Sequence, residues 1–285
     1  MRTLFSIFIL TVCTISRLAG QTYFTSTETG VLFGASQYFG DLNDNYGFKS
    51  VSPSVGIYAR KHLSQYISVK LSGIFTHVGY SDKDNRSEYQ RQRNLDFESN
   101  IYEVGVQAEF NFFRYVTGDP YYRFTPYLTG GIGAFYYDPY TNYQGTKYHL
   151  RPLGTEGQNT PAFKDRKYGS VSACFPIGVG VKFWLKGGIN LTAEIADRLT
   201  TTDYLDDVST TYAGAANFPS TGQAYLIQDR STEINTTATP LGRAGKQRGN
   251  TSSLDQYIVA QVSISWHFKT YHCPSALSDE MIRVR

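Results

Sequence analysis

The chain has 285 residues, with 27 basic and 24 acidic side chains and a formal net charge of +3. That near-balance excludes a dedicated nucleic-acid binder, whose basic patch shows as a larger excess. Charged residues make up only 18% of the chain and aromatic residues 15%, a balance that favours β structure.

The first element is a targeting segment. Met1 and Arg2 form a positive start, Leu4 to Cys13 is apolar, and Leu18-Ala19-Gly20 offers a small-residue cleavage site before Gln21. This pattern predicts a secretory signal over residues 1–20. The apolar run is too short to span a membrane as a helix. Cys13 follows Val12, not the small residue that a lipoprotein anchor wants. Removing Arg2 and Arg17 brings the mature chain near neutral and leaves Cys174 and Cys273. Two cysteines are no disulfide framework. No later segment has 18 continuous apolar residues, so two fates remain: a soluble export or an outer-membrane barrel.

Alternation with a period of two decides for the barrel. Strands are predicted over 29–39, 52–61, 66–80, 101–110, 124–137, 176–183, 189–199 and 257–268. The pattern is cleanest in the last. Ile258, Ala260, Val262, Ile264, Trp266 and Phe268 share one face, and Gln261, Ser263, Ser265 and His267 the other. Ile101–Phe110 repeats it, with Tyr102, Val104, Val106, Ala108 and Phe110 opposite Glu103, Gly105, Gln107 and Glu109. Eight is an even number, as a single-chain outer-membrane barrel requires. Residues 62–65, 111–123 and 185–188 are the tighter links. Residues 40–51, 81–100, 138–170 and 200–256 are long and polar. Alternating short turns and long loops place both termini in the periplasm and the long loops outside the cell. The expected fold is all-β: an eight-stranded antiparallel transmembrane β-barrel with long extracellular loops and a short periplasmic C-terminal tail. Its expected organisation is a signal over 1–20, a barrel over 21–269 and a tail over 270–285.

Aromatic residues at strand ends are expected to form girdles at the membrane interfaces: Tyr38, Phe39, Tyr80, Phe112, Phe113, Tyr121, Tyr122, Tyr136, Tyr137 and Tyr257. The inward set includes Lys70, Glu103, Glu109, Lys182, Glu194 and Arg198. Opposite charges there would pair and plug the lumen, which argues against a porin.

The search for chemistry is mostly negative. Asp41 to Gly47 approaches a calcium loop, but the glycine falls late and Ser52 stands where Glu is needed, so it reads as a turn. Asp203, Asp206 and Asp207 could bind a cation, yet acids in a polar loop are more often solvated. The five histidines show no metal-ligand spacing. His77 and His149 could approach each other at the outer rim, near Asp82 or Asp138, but nothing in their spacing selects a hydrolase. Gly178 and Gly180 are expected to serve close packing or curvature. No enzyme, cofactor or metal is expected.

Cys174 enters the sixth strand from a long loop, whereas Cys273 follows the eighth. A membrane band of roughly 25 Å would separate them, and a disulfide needs Cα atoms within about 7 Å. Cys273 would then be an odd thiol in an oxidising compartment, either bonded to a partner or simply free. Tyr271, His272, Cys273 and Pro274 head the tail and are the candidate partner-binding residues.

Several segments resemble the PorG-type outer-membrane barrel of the type IX secretion system of Bacteroidota. They are Gly34-Ala35-Ser36-Gln37-Tyr38-Phe39-Gly40-Asp41-Leu42, Arg93-Asn94-Leu95-Asp96-Phe97, Thr125-Pro126-Tyr127-Leu128 with Gly131-Ile132-Gly133, and Leu150-Arg151-Pro152-Leu153-Gly154-Thr155-Glu156-Gly157-Gln158. Asp203-Tyr204-Leu205-Asp206-Asp207-Val208-Ser209 and Gln247-Arg248-Gly249-Asn250 complete the set. Residues 211–246 carry no such motif. The resemblance implies a non-enzymatic component of a protein-export machine in the outer membrane. It implies contact with a periplasmic ring of PorK-like lipoprotein and PorN-like protein. The short turns and the tail are the expected contact, with an intermolecular disulfide at Cys273 as one route. Membrane lipid is the other expected partner. A surface adhesin or structural barrel acting through loops 138–170 and 200–256 is the alternative.

Overall fold

The computed structural model describes residues 26–44, 47–234 and 239–268. Eight long strands close into one antiparallel barrel: β1 (Ser26–Phe39), β2 (Ser52–His62), β3 (Ile67–Ser81), β4 (Asp96–Asn111), β5 (Phe124–Tyr136), β8 (Val171–Trp184), β9 (Ile189–Thr200) and β10 (Gln256–Phe268). Each pairs with its chain neighbours, and β1 pairs with β10 to close the ring. Two short strands, β6 (Tyr140–Tyr143) and β7 (Thr146–His149), form a hairpin in the β5–β8 loop. Gln144 and Gly145 turn it at positive φ, which suits a tight two-residue turn.

The eight predicted strands are all present. β4 and β8 start five residues earlier than the alternation suggested, because Glu98, Ser99 and Asn100 hide the apolar signal while the pairing continues.

The wall is apolar outside and polar inside, the reverse of a soluble barrel. Val104, Val106, Leu128, Ile132, Ile177, Val179 and Ile264 are exposed on the outer face. Along most of each of the eight barrel strands, more exposed positions alternate with buried or half-buried ones. On β4 the outward residues from Phe110 to Tyr102 span about 27 Å along the strand, and tilt brings this toward the height of a bilayer's apolar core. Beyond Tyr102 the outward residues turn polar, with Asn100 and Glu98. Phe75, Tyr102 and Tyr136 make a row of rings at that boundary, 5.0 and 6.3 Å apart. Phe112, Phe113, Tyr121 and Phe124 are exposed at the other end.

The girdle expectation holds for only part of its set. Tyr38, Phe39, Tyr80, Tyr137 and Tyr257 are buried, not interfacial. Four of them point inward where the strands rise past the apolar band, and long loops cover them. With Leu42, Val78, Leu95, Phe97, Phe135, Leu150, Leu205, Val208 and Ile227 they form a hydrophobic core above the barrel.

The lumen is filled. Arg60 meets Glu28 at 2.6 Å and Glu109 at 2.8 Å, Lys182 meets Glu109 at 2.6 Å, and Lys70 meets Glu194 at 2.6 Å. Three acids thus face three bases. Arg198 pairs with Glu103 at 3.3 Å nearer the long-loop end. All six residues of the predicted inward set are buried there. Glu28 and Arg60 escaped the sequence reading, because neither first strand alternates cleanly. Gly180 is needed beside this network: a Cβ there would sit 2.6 Å from the Tyr127 ring, whose hydroxyl donates to Glu194 at 2.6 Å. The β4–β5 turn folds across the short-turn mouth. Tyr115 and Val116 are buried, Tyr115 donates to Asn190 at 2.9 Å, and Thr117 lies 3.2 Å from His267.

Candidate functional site: the loop cap

Segments far apart in sequence meet at the long-loop end. The β3–β4 loop carries a short helix, Glu88–Arg93, ended by Asn94 in the left-handed region at φ 58°. Asn is one of the few residues that tolerates this conformation. That ending turns Arg93 inward, where its guanidinium clasps Asp82 at 2.7 and 2.8 Å. The same guanidinium donates to the backbone carbonyls of Asp41 and Arg248. Arg248 in turn donates to Glu156 at 3.1 Å and to the carbonyl of Asp207 at 2.6 Å. Glu156 also accepts from the backbone amides of Ser209 and Thr210. Gly249 lets these strands of loop touch, since a Cβ there would lie 2.2 Å from Asp41 Oδ2 and 2.7 Å from the Ser209 backbone.

A second cluster ties the ends of the longest loop together. Tyr38 donates to Asp206 at 2.5 Å and approaches Asp255 at 3.0 Å. Asp255 accepts from the Leu205 amide at 2.9 Å. Burial pushes both carboxyls well above the ordinary range, and neighbouring acids add to it: Asp255 and Asp41 beside Asp206, Asp203 and Asp41 beside Asp255. Burial likewise pushes Asp41 and Asp207 up to about 6, and Asp203 up to about 7. Three near-parallel tyrosine rings stand beside them: Tyr168 lies 6.3 Å from Tyr137 and 4.6 Å from Tyr204. Tyr168 donates to Asp207 at 2.5 Å.

The cap corrects one expectation. Asp206 and Asp207 are not solvated loop acids but fully buried ones; Asp203 is half-buried. Asp207 also adopts φ 65°, so its backbone as well as its side chain is committed to the cap. Among the described residues, no group of three or more His, Cys, Asp or Glu side chains is arranged to hold a metal ion.

His77 and His149 reach the same rim without meeting. His149 pairs with Asp138 at 2.7 Å, His77 bonds Asn100 at 3.0 Å, and the Tyr140 ring packs against both. Asp82 is taken by Arg93. The Asp41 segment is a turn held by Asn43, whose side chain bonds the backbone of Tyr38 and Gly47. Cys174 is a free thiol buried in the lumen toward the cap end. Tyr271, His272, Cys273 and Pro274 lie outside the described residues. The motifs contain Tyr38, Asp41, Arg93, Glu156, Asp207 and Arg248, but Asp82, which Arg93 clasps, Tyr168, which donates to Asp207, and Asp255, which Tyr38 approaches, lie outside every motif.

The fold and the cap define a class: a transmembrane β-barrel of the outer-membrane type, with a plugged lumen and a folded cap of loops. The chain belongs to the family described as a domain of unknown function, DUF6089, whose model matches residues 2–218. The match ends within the β9–β10 loop, before the closing strand. No curated protein matches the sequence. Among solved structures, the chain is similar to Ail, the attachment invasion locus protein of Yersinia pestis, in complex with a heparin analogue. The identity is 10%, over 86% of this chain and 100% of that one, with a TM-score of 0.41. It is similar to Neisserial surface protein A at 10% identity, over 85% and 97% of the two chains, with a TM-score of 0.41. The N-terminal barrel of Pseudomonas aeruginosa OprF is 11% identical over 86% and 98%, with a TM-score of 0.37.

Proposed function

We propose that this chain is a non-enzymatic outer-membrane component of a type IX protein secretion machinery. In this reading the long loops face outside the cell and both termini face the periplasm. The short-turn end contacts a periplasmic ring of PorK-like lipoprotein and PorN-like protein. The observation that carries the reading is the convergence of the resemblance motifs. Asp41, Arg93, Glu156, Asp207 and Arg248 come from five separate segments and belong to one buried network. The motifs therefore act as one structural unit, and a plugged lumen suits an anchor better than a pore.

The short-turn end offers a surface for such a contact. Arg114 and Arg123 are exposed beside Phe113 and Tyr121, and Arg114 stacks over Tyr122 at 4.4 Å. The last described residues of β10 meet the same β4–β5 turn, through the contact of His267 with Thr117. Tyr271, His272, Cys273 and Pro274 are proposed to join the contact, with Cys273 able to form an intermolecular disulfide.

Reducing and non-reducing gels of membrane extracts test the tail directly. The expected result is an adduct in wild type that disappears on reduction and in Cys273→Ser, and mass spectrometry names its partner. Deleting residues 270–285 and still recovering the ring lipoprotein at the wild-type level would defeat the tail contact. The ordered cap favours a second reading, a surface adhesin acting through loops 138–170 and 200–256. Trimming those loops would then abolish function while secretion continues.

A further inference from the structure

The short-turn end carries exposed charge of one sign. Across its turns, residues 63–66, 112–123 and 185–188, the exposed charged side chains are Arg114, Arg123 and Lys186. The acid Asp119 is half-buried there, and its Oδ1 accepts from the Tyr121 amide at 2.9 Å. Arg114 and Arg123 line one open cleft of about 580 Å³ beside the β4–β5 turn. Among the described residues neither pairs with an acid. Arg114 gives Nε to Gln65 at 2.8 Å and Nη1 to the Tyr122 hydroxyl at 3.3 Å, which leaves Nη2 unused. Arg123 lies 5.2 Å over the Phe183 ring. Two guanidinium groups in one cleft, neither neutralised, select an anion, and their forked N–H groups match phosphate.

The rest of the lining selects where that anion comes from. Tyr66, Phe112, Phe113 and Phe124 line the same cleft and are exposed. Phe112 continues the outward row of β4, its ring 5.8 Å from that of Phe110. Phe124 opens the outward row of β5 that leads on to Leu128. The cleft thus stands where the apolar wall ends and the charged turns begin, the level of a bilayer's headgroups. A soluble phosphate would meet the arginines but leave these rings in water. A phospholipid covers both, with its phosphate on the guanidinium groups and its acyl chains along Phe112, Phe110 and Leu128. Its headgroup has to be acidic. A zwitterionic one brings an ammonium beside two arginines, with no exposed acid on the turns to meet it.

We infer that this cleft binds an acidic phospholipid of the leaflet at the short-turn end. The inference needs a bilayer at that level and not the secretion reading. With the two arginines given to lipid, the protein contact proposed above falls to the other turns and the tail. The full chain in detergent micelles is titrated with dioleoyl phosphatidylglycerol, dioleoyl phosphatidylethanolamine and glycerol 3-phosphate, and the bound molecules are read by native mass spectrometry. The expected result is phosphatidylglycerol held roughly tenfold tighter than phosphatidylethanolamine, with glycerol 3-phosphate not retained. Arg114→Gln combined with Arg123→Gln should bring phosphatidylglycerol down to the phosphatidylethanolamine level. Lys186→Gln, outside the cleft, should leave it unchanged. An unchanged heat-modifiable gel mobility shows that the variants fold. Equal retention of the two lipids overturns the inference and leaves the arginines to an acidic protein partner. So does phosphatidylglycerol binding that the double variant keeps, or an equal loss in Lys186→Gln, since diffuse charge would then hold the lipid. Glycerol 3-phosphate held as tightly as the lipid also overturns it, because the rings would then play no part.

Discussion

Arg248 is 2% exposed and holds together three segments of the cap through Glu156 and Asp207. Removing one partner of a buried ion pair leaves an uncompensated charge, which costs about 3–5 kcal/mol. Arg248→Ala should destabilise the cap by that amount. Amide exchange of residues 201–255 in detergent reads it, and protection equal to wild type would contradict it. The buried acids give a pH dependence with a definite sign. Burial lifts Asp41 and Asp207 to about 6 and Asp203 to about 7, from an ordinary 3.8. In the unfolded cap these groups lose their protons near pH 4, whereas in the folded cap they keep them until pH 6 to 7. The folded state thus binds more protons across that window, and stability falls as pH rises through it. The cap should resist proteolysis better at pH 5 than at pH 8, after correction for the protease's own pH profile. Greater resistance at pH 8 would reverse the assignment.

Elements show why the barrel is legible in the sequence and the cap is not. A strand buried on one side writes its fold locally, in alternation, and β10 and most of β4 can be read from that alone. The cap is written non-locally. Asp82 and Arg93 are partners across a loop, and Tyr38 meets Asp206 and Asp255 from the far end of the chain. No spacing rule links such residues. The aromatic residues at strand ends mislead for the same reason, because Tyr80 and Tyr137 read as interfacial until the loops above them are placed. The Glu156 and Arg248 segments stand out in the sequence only as motifs, and nothing there shows that they touch. Within the wall, Gly180 makes room for Tyr127. Gly180→Val should overpack that site and cost about 1–3 kcal/mol. Thermal unfolding by gel mobility reads it, and an unchanged midpoint would show that the Tyr127–Glu194 contact is dispensable.

At the scale of the whole molecule, three layers stack along one axis: the Tyr115 turn, the ion-paired lumen, and the loop cap. Each closes the barrel separately. Purified protein in a planar bilayer should therefore give no sustained ion conductance, and steady single-channel steps from wild type would contradict the closed lumen. Opening it should need loss of a lumen partner such as Glu109, which faces Arg60, Lys70 and Lys182 at once.

In the proposed reading the closed barrel is an anchor and acts through its partners. The most direct measurement is to delete the gene in its own bacterium and quantify the secreted proteins, with the wild-type copy restored as a control. Many unrelated cargoes should then fail to leave the cell and accumulate in the periplasm, and restoring the gene should restore their export. Unchanged export of all cargoes from the deletion strain would contradict the secretion role, whatever the barrel itself looks like.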